Sequence, residues 1–597
     1  MLSNNVFESI SVILSADIDG VNEGLSPIEE CETTSDSFDY SALHLKLLYW
    51  SLLCRISDRA VILLLEILTE EGIDVPRSLY LFKKPNVINK MNIIKTNVTG
   101  NKGTFAYLSI FENLKFCVAN KLLTLKDKFC DFSVKFGIDG IPIFRSSPVN
   151  IWPILFTIDD FLHRPLPVAV FVGLGKPNSA DFLTKFANEL KMFQDYVDIC
   201  DFKIRFSKVT FICDAPARSF CMGVKSHSGY NACPYCRIHG TYCSTTKKVI
   251  FPFSGVNPES REDDLYCSMS ENNQITESPL LHTVSFCDSF PPEYLHSVCL
   301  GQVRRLIASY MSNMHGLLPC RLSVPLKQEL NQRVQQFSRS LPHEFKRKPR
   351  PITEFLYFKG TEFRTLLLYT GPFFFKNILQ KRYYDHFILL HYAIFIYVSP
   401  RCKHLYANAK ACIEHFVHQL DELFGSGSQT FNAHSILHLN DFVNKLGPLD
   451  SFSAFPFENF LYMLKQRIKS GSFVVDQTVN SLLKIRSLYV NCVPQPVLVS
   501  AKFPNNCVLV QVEINYCFPI IVTEVKKEND QYLVTGYKLI FVNDLYTHPY
   551  PSSSVGIGVY KKSKTFVHDC CVICKCVLFV DSDAYYVFPF ANNETHF

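Results

Sequence analysis

The chain has 597 residues, 47% of them hydrophobic and 19% charged, with a formal net charge of +5. That length supplies several cores and excludes a mostly disordered chain, while the mild positive balance excludes nucleic-acid binding by bulk charge and leaves it to local patches of Lys and Arg. The 23 cysteines, an odd number scattered among apolar runs, exclude a small disulfide-paced secreted scaffold and fit a reducing compartment.

Residues 1–40, rich in Asp, Glu and Ser from 17 onward, read as a flexible acidic N-terminus. Glu8 interrupts its one apolar run and no basic leader precedes it, which argues against a secretory signal. Residues 41–130 are expected to form a helical N-terminal domain. Leu43–Leu68 is broken by Lys46, Arg55, Asp58, Arg59 and Glu66, and Phe387–Val398 is too short to cross a bilayer, so both read as buried helices and no membrane partner is expected.

From Asp131 the sequence alternates, with Phe132, Val134, Phe136 and Ile138 on one face, and predicts a strand that delivers Asp139 at its end. Ile151–Ile158 and Pro167–Val172 read as neighbouring strands. Gly173-Leu174-Gly175-Lys176 lacks the spacing of a phosphate-binding loop and reads as a turn. Ser179 is placed to cap a helix whose Phe182, Phe186, Leu190 and Phe193 form a buried stripe. Lys203–Cys213 reads as a further strand, and Asp214 emerges at its end. Three strands, a helix and another strand ending in a second Asp is the order of a ribonuclease-H-like core over 131–220. The third acid is expected on a later helix, opened by Pro456-Phe457-Glu458 within 441–495, with Phe457, Leu461, Leu464 and Ile468 on its buried stripe.

More than two hundred residues separate Asp214 from Glu458, so a large, mainly helical insertion is expected over 221–440. Cys233 and Cys236 supply half of a tetrahedral zinc site, and two completions are open: His239 with Cys243 nearby, or His434 with His438 far downstream. Lys346-Arg347-Lys348-Pro349-Arg350 is a basic run suited to nuclear import or DNA-backbone contact. Past residue 500, short apolar runs between Gly, Pro, Asn and Asp predict a small all-β domain over 500–597. There Cys570, Cys571, Cys574 and Cys576, with His568, offer a second metal cluster. The alternation of Cys574, Cys576 and Leu578 favours a plain strand.

Phe136-Gly137-Ile138-Asp139-Gly140-Ile141-Pro142-Ile143-Phe144, Cys213-Asp214-Ala215-Pro216-Ala217-Arg218 and Phe452-Ser453-Ala454-Phe455-Pro456-Phe457-Glu458-Asn459-Phe460 resemble, in this order, the three acid motifs of the DDE transposases of the CMC (CACTA, Mirage, Chapaev) type and their domesticated relatives. The resemblance covers roughly residues 130–490. It extends to Glu293-Tyr294-Leu295-His296, where Glu293 stands in place of the usual Asp of the family motif and puts the geometry of that motif in question. A Cys pair after the second acid and a His pair before the third also resemble the zinc site of the antigen-receptor recombinase, and this likeness favours His434 and His438 over the local completion.

The resemblance implies a DNA transposase in which Asp139, Asp214 and Glu458 hold two Mg²⁺ (or Mn²⁺) ions for phosphoryl transfer, cutting element ends and joining 3′-hydroxyls to target DNA. It implies structural zinc, DNA as partner, a homo-oligomer and a nuclear location. The alternative is a domesticated, catalytically inactive DNA-binding descendant.

Overall fold

The computed structural model describes residues 42–53, 56–83, 94–98, 103–123, 125–144, 147–159, 162–488, 499–513, 516–528 and 531–592. The acidic segment 1–40 lies outside them. The chain divides into two compact units, Met1–Asn86 and Val87–Phe597.

In the first unit, helices Ala42–Leu53, Asp58–Glu70 and Leu79–Lys83 enclose a small core of Val61, Leu65, Leu68, Val75 and Phe82. Ser57 starts the second helix, its hydroxyl accepting the Ala60 N–H. Among the described residues no helix is long and apolar enough to cross a membrane.

The second unit is built on a mixed sheet of β1 (Ile94–Val98), β2 (Gly103–Tyr107), β3 (Phe129–Ile138), β4 (Ile141–Pro142), β5 (Val149–Ile158), β6 (Leu162–Leu174), β7 (Val197–Ile199) and β8 (Phe202–Ile212). Its order is β1-β2-β6-β5-β3-β8-β7, with β4 paired to β5. The β3–β5 and β5–β6 pairings are antiparallel and β3–β8 is parallel. The helical domain expected over 41–130 therefore ends early: residues 94–98 and 103–107 form a hairpin that extends this sheet beside β6.

Alternation along β3 sorts its two faces. Phe136 meets Phe186 of the Ser179–Met192 helix at 4.9 Å between ring centroids, and that helix also buries Phe182, Leu183 and Leu190. Asn178, one residue before the expected cap, accepts the Ala180 and Asp181 N–H groups. On the other face, the Phe455–Lys465 and Val474–Leu488 helices lie against β6.

The stretch expected to be mainly helical, 221–440, begins without much helix: residues 223–290 are turns, two short helices and a hairpin of β9 (Thr241–Cys243) and β10 (Lys248–Ile250). Helices dominate from Leu295 onward. Lys381–Val398 is the central one, buried continuously from His386 to Val398. The C-terminal strands β11 (Cys507–Glu513), β12 (Tyr516–Glu528), β13 (Gln531–Asn543), β14 (Gly558–Asp581) and β15 (Ala584–Pro589) form a closed barrel, because β11 pairs with β14 as well as β12. The barrel packs on these helices and their connections: Phe579 stacks on Phe373 at 4.8 Å, and Lys575 pairs with Glu344 at 2.8 Å in a buried contact.

Candidate active site and metal centre

Asp139 follows the last residue of β3, and Asp214 follows β8 after one intervening residue; the two parallel strands are in register through Gly137 and Ile212. Both acids therefore emerge at the same sheet edge. Asp139 Oδ1 accepts the Gly140 N–H at 2.7 Å. Asp214 caps the Ala215–Met222 helix, its Oδ1 accepting the Ala217 N–H at 2.7 Å. Glu458 lies in the first turn of the Phe455–Lys465 helix, which can approach closely because Gly137 has no Cβ; one there would overlap the Phe457 ring. The three acids line one cleft with His296 over an apolar floor that includes Ile138, Leu155, Ile212 and Leu461.

Burial, and then the charges of Asp214 and Glu458, push the Asp139 carboxyl up to about 8. Burial also raises Glu458, against the pull of His296, whose Nε2 lies 3.8 Å from Glu458 Oε1. For His296 burial works against protonation, yet the hydrogen bond and charge of Glu293 raise it to about 9. A crowded set of acids thus faces one cation. All-oxygen carboxylate donors are the kind that Mg²⁺ or Mn²⁺ takes. Their oxygens do not all close to within 4.8 Å; among the described residues, one other set of side chains does.

Glu293, 3% exposed, organises the cleft. Its Oε1 accepts the Leu295 N–H at 2.7 Å and the Ala454 N–H at 2.9 Å, while Oε2 accepts the His296 N–H at 2.7 Å and meets His296 Nδ1 at 2.8 Å. Burial alone would raise this carboxyl, but these bonds hold it below the ordinary range. Ala454 precedes the Glu458 helix and has no side-chain cap of its own, so Glu293 places an anion at that helix's positive end. His296 sits in the first turn of a π-helix, Leu295–Val303, the wide turn often found at functional sites. The longer side chain that put this motif in question is fully engaged.

The set that closes is Cys233, Cys236, His434 and His438. Cys236 Sγ lies 3.6 Å from Cys233 Sγ and 3.2 Å from His434 Nε2; His438 Nε2 lies 3.5 Å from Cys233 Sγ and 3.2 Å from His434 Nε2. Tetrahedral zinc with Zn–S of about 2.3 Å and Zn–N of about 2.0 Å separates its ligands by about 3.8 Å (S–S), about 3.5 Å (S–N) and about 3.3 Å (N–N). The four separations just given lie close to those edges and all four ligand atoms lie within 4.8 Å of one another, so the cluster fits zinc. Burial resists ionisation of Cys233, but the Cys236 hydrogen bond and the two imidazoles hold its thiol well below the usual range. Cys236, which donates that bond, is pushed up. The knuckle is fixed from behind: Arg261 Nε donates to Cys233 O at 2.8 Å, and buried Glu271 pairs with both Arg261 and Arg237.

The local completion does not form. His239 pairs with Asn231 Oδ1 at 2.9 Å, and Cys243 meets Thr245 Oγ1 at 3.0 Å. Cys570, Cys571, Cys574 and Cys576 all lie on β14 and do not gather as a metal set; Cys574 Sγ is instead 2.7 Å from Arg401 Nη1. In the basic run, Lys346 and Arg347 are exposed, whereas Lys348 bonds the Leu341 and Pro342 carbonyls and Arg350 grips Glu362. Gly175 turns the chain at φ +73.

Two contributors escape a reading by residue type. Gly137 carries no chemistry, although a lone glycine inside an alternating strand signals close approach of another group. Arg218 is buried, its guanidinium 5.3 Å from the Tyr235 ring, and joins the Asp214 helix to the Cys233–Cys236 knuckle. Searches against models of known families and against curated proteins find no match for this chain.

Proposed function

We propose that this protein is a DDE-type DNA transposase, or the domesticated descendant of one, with a ribonuclease-H-like core. The observation that carries the reading is the meeting of Asp139 and Asp214, from adjacent parallel strands, with Glu458 from a distant helix in one cleft. The central order β6-β5-β3-β8, with β5 antiparallel to its neighbours, supports the same core.

In this reading Asp139, Asp214 and Glu458 hold divalent cations, which when bound activate the attacking oxygen and stabilise the leaving one in an in-line displacement. Asp139 must give up its proton to serve as a ligand. The buried strand ends fix two carboxylates, and the Glu293-capped helix fixes the third. His296 places positive charge beside Glu458, where a phosphate diester would lie. Element ends and target are DNA, the working form is a homo-oligomer, and exposed Lys346 and Arg347 serve nuclear entry.

A second reading, a DNA-binding descendant without cleavage, draws on one observation: the His296 imidazolium already offsets charge in an acid set that does not close to ligand spacing. Duplex oligonucleotides incubated with Mg²⁺ or Mn²⁺ separate the two. Nicking by the wild type, lost in Asp139→Asn, Asp214→Asn and Glu458→Gln with DNA binding retained, supports the transposase. Binding without nicking in the wild type supports the descendant, and full activity in any variant removes that residue from the site.

A further inference from the structure

The barrel carries a surface that the cleft does not use. Tyr537 on β13 stands opposite Phe566 on β14, with ring centroids 5.0 Å apart, and His568 lies 5.0 Å beyond Phe566. Residues two apart on a strand share a face, so the three rings form a row. Phe566 is 40% exposed, and His568 is also open to solvent. Lys562 Nζ lies 4.3 Å over the Tyr537 ring, and Lys561, Lys562 and Lys564 are all exposed. The nearby acid, Asp569, is paired with Lys526 at 3.3 Å. Farther along the same strand pair, Phe541 is 45% exposed and packs edge-on against Tyr560 at 5.6 Å.

Open rings interleaved with ammonium groups supply the two things a single strand of nucleic acid offers to bind: base faces that stack and phosphates that need countercharge. We propose that the β13–β14 face of the barrel binds single-stranded DNA, with a base stacked on Phe566 beside Tyr537 and the backbone held by Lys562 and Lys564, which share the face of Phe566. A methylated-lysine peptide also seeks exposed aromatic rings, but the Lys562 ammonium over Tyr537 repels a second cation. The choice of DNA over RNA rests on the proposed function; the stacking surface does not.

The test is anisotropy of a labelled oligothymidylate with the full chain and no added Mg²⁺ or Mn²⁺, so that no cleavage is needed. Phe566→Ala is expected to weaken binding about tenfold. Lys562→Gln and Lys564→Gln combined are expected to flatten the slope of log affinity against log salt by about 1.4. Ultraviolet crosslinking should attach thymine within residues 558–569, and unchanged thermal unfolding of these exposed-site variants should show the fold intact. Wild-type affinity in both variants, crosslinks confined to other segments, or tighter binding of oligouridylate overturns the proposal. Oligothymidylate binding through this face without duplex cleavage supports the surface and removes the active transposase; cleavage without such binding does the reverse.

Discussion

Glu293 Oε1 accepts the Ala454 N–H at 2.9 Å, a bond between residues 161 positions apart. The same carboxylate grips His296, so one buried side chain sets both the cation of the cleft and the start of the helix that carries Glu458. A displacement of Glu293 moves two of the four groups in the cleft at once.

Glu293→Gln keeps the shape but turns an amide NH₂ toward backbone donors that need an acceptor. An unsatisfied buried donor costs about 1–3 kcal/mol, which should appear as a lower denaturation midpoint. His296 loses the partner that holds it near about 9, so the basic limb of a pH–rate profile should move toward neutrality. Unchanged stability and profile would show that the cap is dispensable.

Gly137→Ala drives a methyl group into the Phe457 ring. Overpacking of this kind costs about 1–3 kcal/mol and here has a direction, lifting the Glu458 helix away from the sheet. Divalent-dependent cleavage should fall at least as far as stability does, with duplex binding retained. An alanine variant as active as the wild type would show that the helix does not depend on this contact.

The Asp139 carboxyl, near about 8 when folded, ionises near about 4 in the unfolded chain. Its contribution to stability is therefore complete below the unfolded value and is lost as pH rises through the folded one. At the proposed acid site a divalent cation would have to displace the Asp139 proton, and that displacement is easier as pH rises. The rise in melting temperature on adding Mg²⁺ or Mn²⁺ should thus be larger at pH 8 than at pH 6, and Asp139→Asn should abolish the difference. Equal rises at both pH values would separate Asp139 from the metal.

His434→Ala or His438→Ala should abolish bound zinc, measured by atomic absorption, and destabilise the chain by more than about 4 kcal/mol, because losing a metal is among the costliest single changes. His239→Ala and Cys243→Ser should leave zinc content unchanged. The opposite pattern would restore the local knuckle.

The strand ending at Asp139 was legible because Phe132, Val134, Phe136 and Ile138 alternate and are all buried. So was the Glu458 helix, whose Phe457, Leu461, Leu464 and Ile468 are buried, although the helix itself stops at Lys465. The β1–β2 hairpin was not, because Lys95, Thr96, Asn97 and Thr104 give no apolar alternation to read. The π-helix at Leu295 leaves no periodic trace in the sequence. Glu293 was visible as a motif residue, but its grip on Ala454 is a tertiary contact that no local pattern encodes. For zinc, the spacing of Cys233 and Cys236 announced half a site, and only likeness to another family chose between the two completions.

The clasp made by Cys233 and Cys236 with His434 and His438 is reinforced beside it, where the Phe251 N–H bonds Gln429 O at 2.8 Å. Between the two halves of the clasp runs an open stretch, Ser254–Asn257, in which Val256 is 72% exposed. A protease cut there places Asp139, Asp214 and the two cysteines on one fragment, and Glu293, His296, Glu458 and the two histidines on the other. The cut therefore leaves two parts that share both the Cys/His cluster and the cleft. Nicked chain should run as a single species, and a chelator should lower its melting temperature further than that of the uncut chain.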